Sequence, residues 1–516
     1  MNDNKISKNS IVAKFAVPIS FLILFFLAAN FTDCDLVTFW KRRNHLTDLV
    51  VDMIPPDFSY IQKILLPLFY TIQMSVTGTV LGIFFALVLS PFGAANLGFP
   101  AVIRRILRIV IQILRSFPAL ILALTATFLF GLGTFAGTFA ITLYTFAIMT
   151  KLTYEDANAA DVKAYQALRA MGVSKYVAYI HGILPEIIPG FLTNALYLLE
   201  TNVRHSSILG YVGAGGIGLL LNEKISWLEY DKVGTILLML FLTVCVIEYF
   251  SRYLAALIRK ERTIKKEQAR LLLLFLAALF LICTFTLSLP DFSRTSPQTL
   301  RNMFAGFLQP DWSFFFSAEK DGLGYLLLET VCIAFIGTVI GAIVSAPLAF
   351  LNTKRFVPAP VSFLFNLVIM VIRSVPFLVY GLIFIRVSGP GAFTGVLTLA
   401  VCSIGLLTKR FTEALDALDP RPYHALLAMG VRPLPAICHS VLPQLKPVFT
   451  SIILYRFDVN IREASVLGLV GAGGIGAPLI FSMNQYAWEK AGAIMLGLIL
   501  LVWFIDMVSE KIGAGN

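Results

Sequence analysis

The chain has little charge and little cysteine for its length. Charged residues make up only 14% of its 516 residues, whereas hydrophobic residues make up 58%, and the mean hydropathy is +0.81. A soluble protein of this size does not sustain that balance, because its surface would be largely apolar. The six cysteines are scattered and include no Cys-x-x-Cys pair, so neither a metal site nor a disulfide framework is indicated.

Motifs that bind nucleotides or catalyse reactions are missing as well. The sequence has no Gly-x4-Gly-Lys-[Ser/Thr] loop and no His-Glu-x-x-His pair. The stretches 213–218 and 471–476 match Gly-x-Gly-x-x-Gly, but a dinucleotide site also needs a preceding strand and an acidic residue about 20 positions later. Apolar segments flank both stretches instead. We therefore expect no enzyme activity, no metal site and no cofactor bound by this chain itself.

Long apolar segments dominate the sequence. A helix needs about 20 predominantly apolar residues to span a bilayer. Such segments lie at 14–31, 67–90, 102–130 (interrupted), 134–150, 184–203, 233–251, 271–289, 325–350, 361–387, 392–408, 442–458 and 491–507. The sequence thus predicts an all-α polytopic membrane protein with about 12 transmembrane helices, six in each half.

Basic residues concentrate on one side of this predicted topology. Under the positive-inside rule that side is cytoplasmic, and both termini lie there. Lys41, Arg42 and Arg43 fall on the outer side as a mild exception. The net charge of +11 is explained by this topology rather than by binding of nucleic acid. The cytoplasmic basic residues are Lys5, Lys8, Lys14, Arg104, Arg105, Arg108, Arg259, Lys260, Arg262, Lys265, Lys266, Lys354, Arg355, Lys409, Arg410 and Lys511.

The chain also repeats itself. The stretch from Lys151 to Gly218 returns without a gap as Lys409 to Gly476, at an offset of 258 residues, which is half of the chain. A repeat this long indicates a duplicated domain and a pseudo-two-fold axis. We expect two homologous halves, 1–258 and 259–516. Their glycine-rich segments lie at 210–218 and 468–476.

Each half contains a long polar loop, 155–185 or 413–443, with a short helical stretch, a glycine and a closing Leu-Pro. This spacing resembles the EAA motif of ABC importer permeases. Several stretches are similar to permeases of phosphonate uptake systems, namely 346–352, 373–376 and 454–476. The usual motif glutamate is replaced by Gln166 and His424, and the usual isoleucine before Leu-Pro by Gly182 and Ser440.

The resemblance implies a type I ABC importer permease fold in a bacterial plasma membrane. Two cytoplasmic ABC ATPase subunits would bind ATP and Mg²⁺, and an extracytoplasmic solute-binding protein would deliver phosphonate, phosphite or phosphate. Permeases for methionine- or betaine-type cargo, and an ion-coupled secondary transporter, are the alternatives. The residues that would contact the ATPases are Ala167, Leu168, Gly172, Ala425, Leu426 and Gly430.

Charged residues inside the predicted spans are candidates for a substrate path, because charge in a bilayer is costly. A Ser-x-Pro sequence follows Arg115 and Arg373 and should break the helix there. Arg115 has snorkelling as an alternative role. Internal ion pairing is the alternative for the other two arginines, since an acidic residue lies four positions before each. The predicted path residues are Arg115, Ser116, Arg373, Ser374, Asn202, Arg204, Asn460 and Arg462.

Glycines are predicted to form a gate in each half. Glycine permits positive φ and close approach of main chains, so we expect a re-entrant turn after the fifth span of each half. The gate residues are Gly213, Gly215, Gly216, Gly471, Gly473 and Gly474. The two Gly-x3-Gly pairs, 78–82 and 337–341, are typical of close helix packing instead. The two copies of the repeat differ at Gln166/His424, Leu198/Arg456 and His205/Glu463. We expect partners and cargo to contact the protein at these positions, so the halves need not be equivalent.

Overall fold

The computed structural model describes residues 19–260, 265–288, 290, 297–317 and 319–514. These residues form helices joined by short connections, and no strand occurs among them. The predicted all-α class is confirmed. Parts of the predictions lie outside the described residues, namely positions 14–18 and 289 of two predicted spans and the basic residues Lys5, Lys8, Lys14 and Arg262.

The described residues fall into two compact units. Unit A consists of the described residues within Leu49–Phe304 and Ser374–Pro376. Unit B consists of the described residues within Met1–Asp48, Ala305–Arg373 and Phe377–Asn516. The repeat in the sequence and the compact units therefore divide the chain at different places.

The helices follow one another with short connections. The first twelve are α1 (Ile19–Phe31), α2 (Leu36–Asp52), α3 (Ile61–Gly93), α4 (Ala101–Ser116), α5 (Ala119–Phe130), α6 (Thr134–Ala159), α7 (Lys163–Ala170), α8 (Lys175–Gly182), α9 (Leu184–Leu209), α10 (Ile217–Ser226), α11 (Tyr230–Ile258) and α12 (Lys266–Phe285). The others are α13 (Pro297–Leu308), α14 (Trp312–Phe315), α15 (Leu323–Asn352), α16 (Ala359–Ser374), α17 (Phe377–Ser388), α18 (Ala392–Ala417), α19 (Arg421–Ala428), α20 (Pro433–Ala436), α21 (Leu442–Leu467), α22 (Gly476–Asn484) and α23 (Trp488–Ala514).

Much of this helical content has the length and composition of membrane spans. Among the described residues, eight helical segments satisfy both requirements alone, and up to eleven do if each sharply bent pair is one span. The bent pairs are α4 with α5 (96°), α8 with α9 (70°) and α16 with α17 (87°). The shorter apolar helix α1 corresponds to the first predicted segment. Every predicted segment therefore overlaps an apolar helix or a bent pair.

Ser-x-Pro sequences cause two of the three breaks. Proline lacks an N–H and disfavours helical backbone in the residue before it. Phe117, which precedes Pro118, accordingly has φ −93° and ψ 129°. The Ser116 hydroxyl donates to the Gln112 carbonyl at 2.9 Å and so satisfies a carbonyl near the end of α4. The predicted helix breaks are confirmed at both Ser-x-Pro sequences.

Glycines allow the long helices to pack closely within each unit. A Cβ built on Gly78 of α3 would lie 2.8 Å from the Ile141 Cβ of α6, and one on Gly82 would lie 2.7 Å from the Thr145 Cβ. In unit B, the same construction on Gly341 of α15 meets the Ser403 Cβ of α18 at 2.4 Å. The predicted packing role of the Gly-x3-Gly pairs is confirmed.

The first helix of each half belongs to the unit formed mainly by the other half. In unit A, the Gln73 side chain of α3 donates to the Cys283 carbonyl of α12 at 3.0 Å. In unit B, the ring of Phe21 in α1 packs edge-on against Phe335 of α15, with the ring centroids 5.5 Å apart. Each unit thus contains the first helix of the other sequence half, α12 in unit A and α1 in unit B.

Candidate functional sites

The two segments predicted to contact the ATPases, 167–172 and 425–430, are called the coupling segments here, and their helices α7 and α19 the coupling helices. The first folds as α7 followed by a glycine turn. Gly172 has φ +85°, and Val173 donates its N–H to the Leu168 carbonyl at 3.2 Å. This arrangement satisfies a carbonyl at the end of the helix, as in a Schellman cap. The Tyr165 hydroxyl donates to the Leu97 carbonyl at 2.6 Å and anchors α7 to the connection before α4. The side of α7 that carries Tyr165 is therefore attached to the rest of unit A.

The second coupling segment, α19, repeats this construction in unit B. Gly430 has φ +81°, and the Val431 N–H donates to the Leu426 carbonyl at 3.1 Å. No atom lies within 4 Å of a Cβ built on either turn glycine. Backbone conformation, rather than lack of space, therefore explains glycine at these two turns.

An aspartate precedes each coupling helix and accepts from its first backbone N–H. The Lys163 N–H donates to Asp161 at 3.0 Å, and the Arg421 N–H donates to Asp419 at 3.0 Å. The hydrogen bond from the Lys163 backbone holds the pKa of the Asp161 carboxyl below its usual range, and the Lys163 side chain adds to this effect. A carboxylate is stabilising beside the unsatisfied N–H groups of a helix start.

Each coupling helix presents a small apolar surface to its surroundings. Met171 and Met429 are 71% and 72% exposed. The adjoining alanines Ala167 and Ala425 are exposed as well, while Leu168 packs against the core of its unit. Flexible methionines beside small residues suit a helix that docks into a groove on another protein.

The predicted glycine gate of unit A is a tight turn between α9 and α10. Gly213, Gly215 and Gly216 all have positive φ, between +77° and +82°. The Gly133 N–H at the start of α6 donates to the Gly213 carbonyl at 3.0 Å. Ala214, in the middle of the turn, is fully buried. The turn is consequently held against α6 by main-chain contact, as predicted for a backbone-rich segment.

Unit B forms the same turn with less space at its middle glycine, Gly473. Its three glycines have φ between +76° and +78°, and the Gly391 N–H donates to the Gly471 carbonyl at 2.9 Å. A Cβ built on Gly473 would lie 2.7 Å from the Ala392 Cα, whereas one on Gly215 of unit A has its nearest neighbour, the Thr134 Cγ2, at 3.4 Å. The two turns are therefore alike in backbone and different in packing.

The two predicted path asparagines hold three helices together in each unit. The Asn202 amide donates to the hydroxyls of Thr79 and Thr145, at 2.8 Å each, and so joins α9 to α3 and α6. Both asparagines are fully buried. Each such bond between neutral groups contributes about 0.5–1.5 kcal/mol. In unit B the amide of Asn460 donates to Thr338 at 2.7 Å and to Ser403 at 2.9 Å.

The arginines on α9 and α21 form ion pairs with acidic residues on their own helices. Arg204 contacts Glu200 at 3.1 Å, and the side chains are 12% and 6% exposed. Arg462 pairs with Asp458 in the same way. These contacts confirm the ion-pair alternative considered for both arginines. A contact with cargo stays a prediction.

The remaining predicted path residues lie at the helix breaks. Arg115 and Ser116 end α4, and the Arg115 guanidinium donates to Gln112 at 3.4 Å. Arg373 and Ser374 end α16, and the stem of Arg373 lies against Gly405 of α18. Their role in a path stays a prediction.

A second ion pair on α21 was not among the predicted site residues. Arg456 and Glu463, both on α21, are joined at 2.8 Å and 3.4 Å. Their side chains are 5% and 16% exposed. The mismatch with Leu198 and His205 in the sequence repeat is the signal that could have identified this pair.

Comparisons with known proteins agree with this duplicated arrangement. The chain is 27% identical over 474 residues to the phosphate-import permease protein PhnE of Mycolicibacterium smegmatis, covering 90% of this chain and 88% of that protein. It is 36% identical over 184 residues to the phosphite transport system permease protein PtxC of Stutzerimonas stutzeri, covering 36% of this chain and 67% of that protein. It is 23% identical over 459 residues to the ABC transport system permease protein p69 of Mycoplasma pneumoniae, covering 86% of this chain and 84% of that protein.

The family model described as "binding-protein-dependent transport system inner membrane component" matches this chain twice. The two matches, 78–262 and 337–512, fall one in each sequence half and together cover more than half of the chain. Each match includes one coupling helix, one buried asparagine and one glycine turn. The chain therefore belongs to the family of binding-protein-dependent transport system inner membrane components.

Proposed function

We propose that this chain is the membrane-spanning permease of an ABC importer for phosphonate or related phosphorus oxyanions, including phosphite and phosphate. The observation that carries the proposal is the pair of exposed surfaces on α7 and α19, each containing an alanine and a methionine. One chain with two such surfaces fits two ATPase subunits. The cargo class rests on the relatives named for phosphate and phosphite.

In this proposal the chain spans the bacterial plasma membrane with both termini in the cytoplasm. The coupling helices then face the ATPases, which bind ATP and Mg²⁺, while a solute-binding protein delivers cargo from the other side. ATP binding shifts the permease between two packings of similar energy, and hydrolysis returns it. The permease itself makes and breaks no bonds.

The proposed cargo path includes the arginine and serine that end α4 and α16, together with the polar residues of α9 and α21. A broken helix supplies free backbone amides, and an arginine beside them suits a doubly charged anion. The glycine turns act as the gate. The path residues are Arg115, Ser116, Arg373, Ser374, Asn202, Arg204, Asn460 and Arg462, and the gate residues are Gly213, Gly215, Gly216, Gly471, Gly473 and Gly474.

A growth experiment tests the cargo. A bacterial host without phosphorus importers is supplied with the chain, its ATPase and its solute-binding protein, and is grown with methylphosphonate, phosphite or phosphate as the sole phosphorus source. We expect growth on at least one source that requires all three components. Growth on none of them, with uptake of methionine or betaine instead, would overturn the proposed cargo. Phosphorus uptake that persists without the ATPase would overturn the ABC mechanism.

A charge placed on one coupling helix should remove one ATPase subunit. Ala425→Arg puts a long cation on the exposed surface of α19 without disturbing the core of unit B. We expect the purified complex to change from two ATPase subunits per chain toward one, measured by native mass spectrometry. Ala269→Arg is the matched control, because Ala269 is also exposed but lies on α12. Two ATPase subunits bound to the Ala425→Arg variant would contradict docking at α19.

A further inference from the structure

Helix α21 of unit B carries an ion pair that its counterpart in unit A lacks. Arg456 and Glu463 are seven residues apart, which is two helical turns, so both side chains lie on one face of the helix. The two guanidinium nitrogens contact the two carboxylate oxygens at 2.8 Å and 3.4 Å. The Arg456 Nε donates to the Ser403 hydroxyl of α18 at 3.2 Å.

The equivalent positions of unit A hold a leucine and a histidine. Leu198 is buried, and His205 packs edge-on against Tyr144 with the ring centroids 5.2 Å apart. The surrounding helices are otherwise built alike, since Asn202 and Asn460 make equivalent contacts. The fold therefore accommodates an uncharged pair at these positions.

Stability does not explain the charged pair in unit B. Removing two charges from water is costly, and well-packed apolar residues in place of a buried ion pair are often neutral or stabilising. The Arg456 side chain is only 5% exposed, and Glu463 is 16% exposed. Unit A shows an uncharged alternative within the same chain. A functional role is therefore the better explanation for the charges in unit B.

We propose that Arg456 is a further anion-recognition residue of unit B and that the Glu463 carboxylate pairs with its guanidinium until a phosphorus oxyanion replaces the carboxylate. This inference rests on the proposed function, which supplies the cargo class. The guanidinium group presents paired N–H donors whose spacing matches both carboxylate and phosphate oxygens. The Glu463 carboxylate thus occupies the position beside the guanidinium that an oxyanion would take.

The neighbouring hydroxyl group keeps the guanidinium oriented during this exchange. The Ser403 hydroxyl accepts from the Arg456 Nε, and it also accepts from the Asn460 amide at 2.9 Å. Arg456 therefore stays fixed to α18 when its other two nitrogens exchange partners. A carboxylate that competes with cargo also keeps binding weak, and a transport site must release its cargo as well as bind it.

Two changes separate recognition from structure. Glu463→Gln removes the competing charge and keeps an oxygen for the guanidinium. The double change Arg456→Leu with Glu463→His installs the residues of unit A at both positions. His205→Gln, at the equivalent position of unit A, is the matched control. Binding of radiolabelled inorganic phosphate is measured on each permease–ATPase complex in nanodiscs, with methylphosphonate as competitor and without the solute-binding protein.

We expect Glu463→Gln to bind phosphate about tenfold more tightly, because the anion no longer displaces a carboxylate. The double variant should still co-purify with the ATPases and lose phosphate binding, while His205→Gln should bind like the wild type. Wild-type affinity in both unit B variants would overturn the inference. If the double variant fails to assemble, unchanged affinity of Glu463→Gln alone overturns it. A wild-type complex that neither binds nor imports these oxyanions overturns the proposed function instead.

Discussion

Replacing Gly473 by alanine is expected to abolish uptake, whereas the same change at Gly215 should leave most of it. Both glycines have positive φ, +78° and +77°, where an alanine costs about 1–2 kcal/mol in either turn. The difference is the space around them. A Cβ on Gly473 would approach the Ala392 main chain to 2.7 Å, and main-chain atoms cannot turn away as a flexible side chain can. The nearest neighbour at Gly215 is a Thr134 methyl group at 3.4 Å.

The measurement is uptake of labelled phosphate or phosphonate by cells that express equal amounts of each variant in the membrane. Valine at either position should block uptake, since its branched side chain tolerates positive φ poorly. Comparing Gly473→Ala with Gly215→Ala is the sharper test, because each variant adds one methyl group to a turn of the same shape. Equal uptake by the two alanine variants would show that the packing difference has no effect on gating.

The apolar helices and their breaks could be predicted from the sequence. A bilayer requires long apolar segments, so composition alone identifies them. A proline two residues after Ser116 or Ser374 removes a backbone donor whatever the surroundings, and the structure has a bend of 96° or 87° at these points. Local chemistry determines these features, which is why they were predicted correctly.

The composition of the two units could not be predicted in the same way. Nothing in the sequence of α1 or α12 indicates which half it will join, because both are plain apolar helices. The contacts that decide it, such as Gln73 with Cys283, join residues 210 positions apart. A sequence repeat indicates ancestry, whereas packing decides which helices form a compact unit.

The Arg456–Glu463 pair shows a further limit of sequence reasoning. Ion pairs on one helix are usually three or four residues apart. A pair seven residues apart falls outside that spacing, although both positions differ between the sequence halves. The guanidinium and the carboxylate meet because both side chains extend along the face that α21 turns toward α18.

Membership of a transport family also confirms the predictions made at the level of the whole chain. The two family matches confirm the internal duplication, and the chain is a membrane permease and not an enzyme. The family works with separate ATPase and solute-binding partners. The duplication was predicted from the sequence repeat, whereas the transporter class was predicted from the spacing of the loop residues rather than from their identity, since Gln166 and His424 stand where the motif has glutamate.

Replacing Arg373 by alanine is expected to abolish uptake while leaving the complex with the ATPases intact. Arg373 ends α16 at the break, where backbone amides are released from the helix. Its stem lies against Gly405 of α18, and a Cβ on that glycine would lie 2.9 Å from the Arg373 Cγ. The counterpart of Gly405 in unit A is the buried Ala147. Unit B thus provides a groove for this arginine that a methyl group fills in unit A.

This difference makes Arg115→Ala the matched control for Arg373→Ala. Arg115 lies near the other basic residues of α4, where snorkelling is the alternative to a role in the path, so its loss should reduce uptake less. Gly405→Ala provides an independent test, because it pushes Arg373 out of the groove without removing its charge. We expect low uptake from Gly405→Ala and Arg373→Ala alike, with normal ATPase co-purification for both. Normal uptake by Arg373→Ala would exclude this arginine from the path, because a charge that recognises cargo cannot be removed without a transport defect.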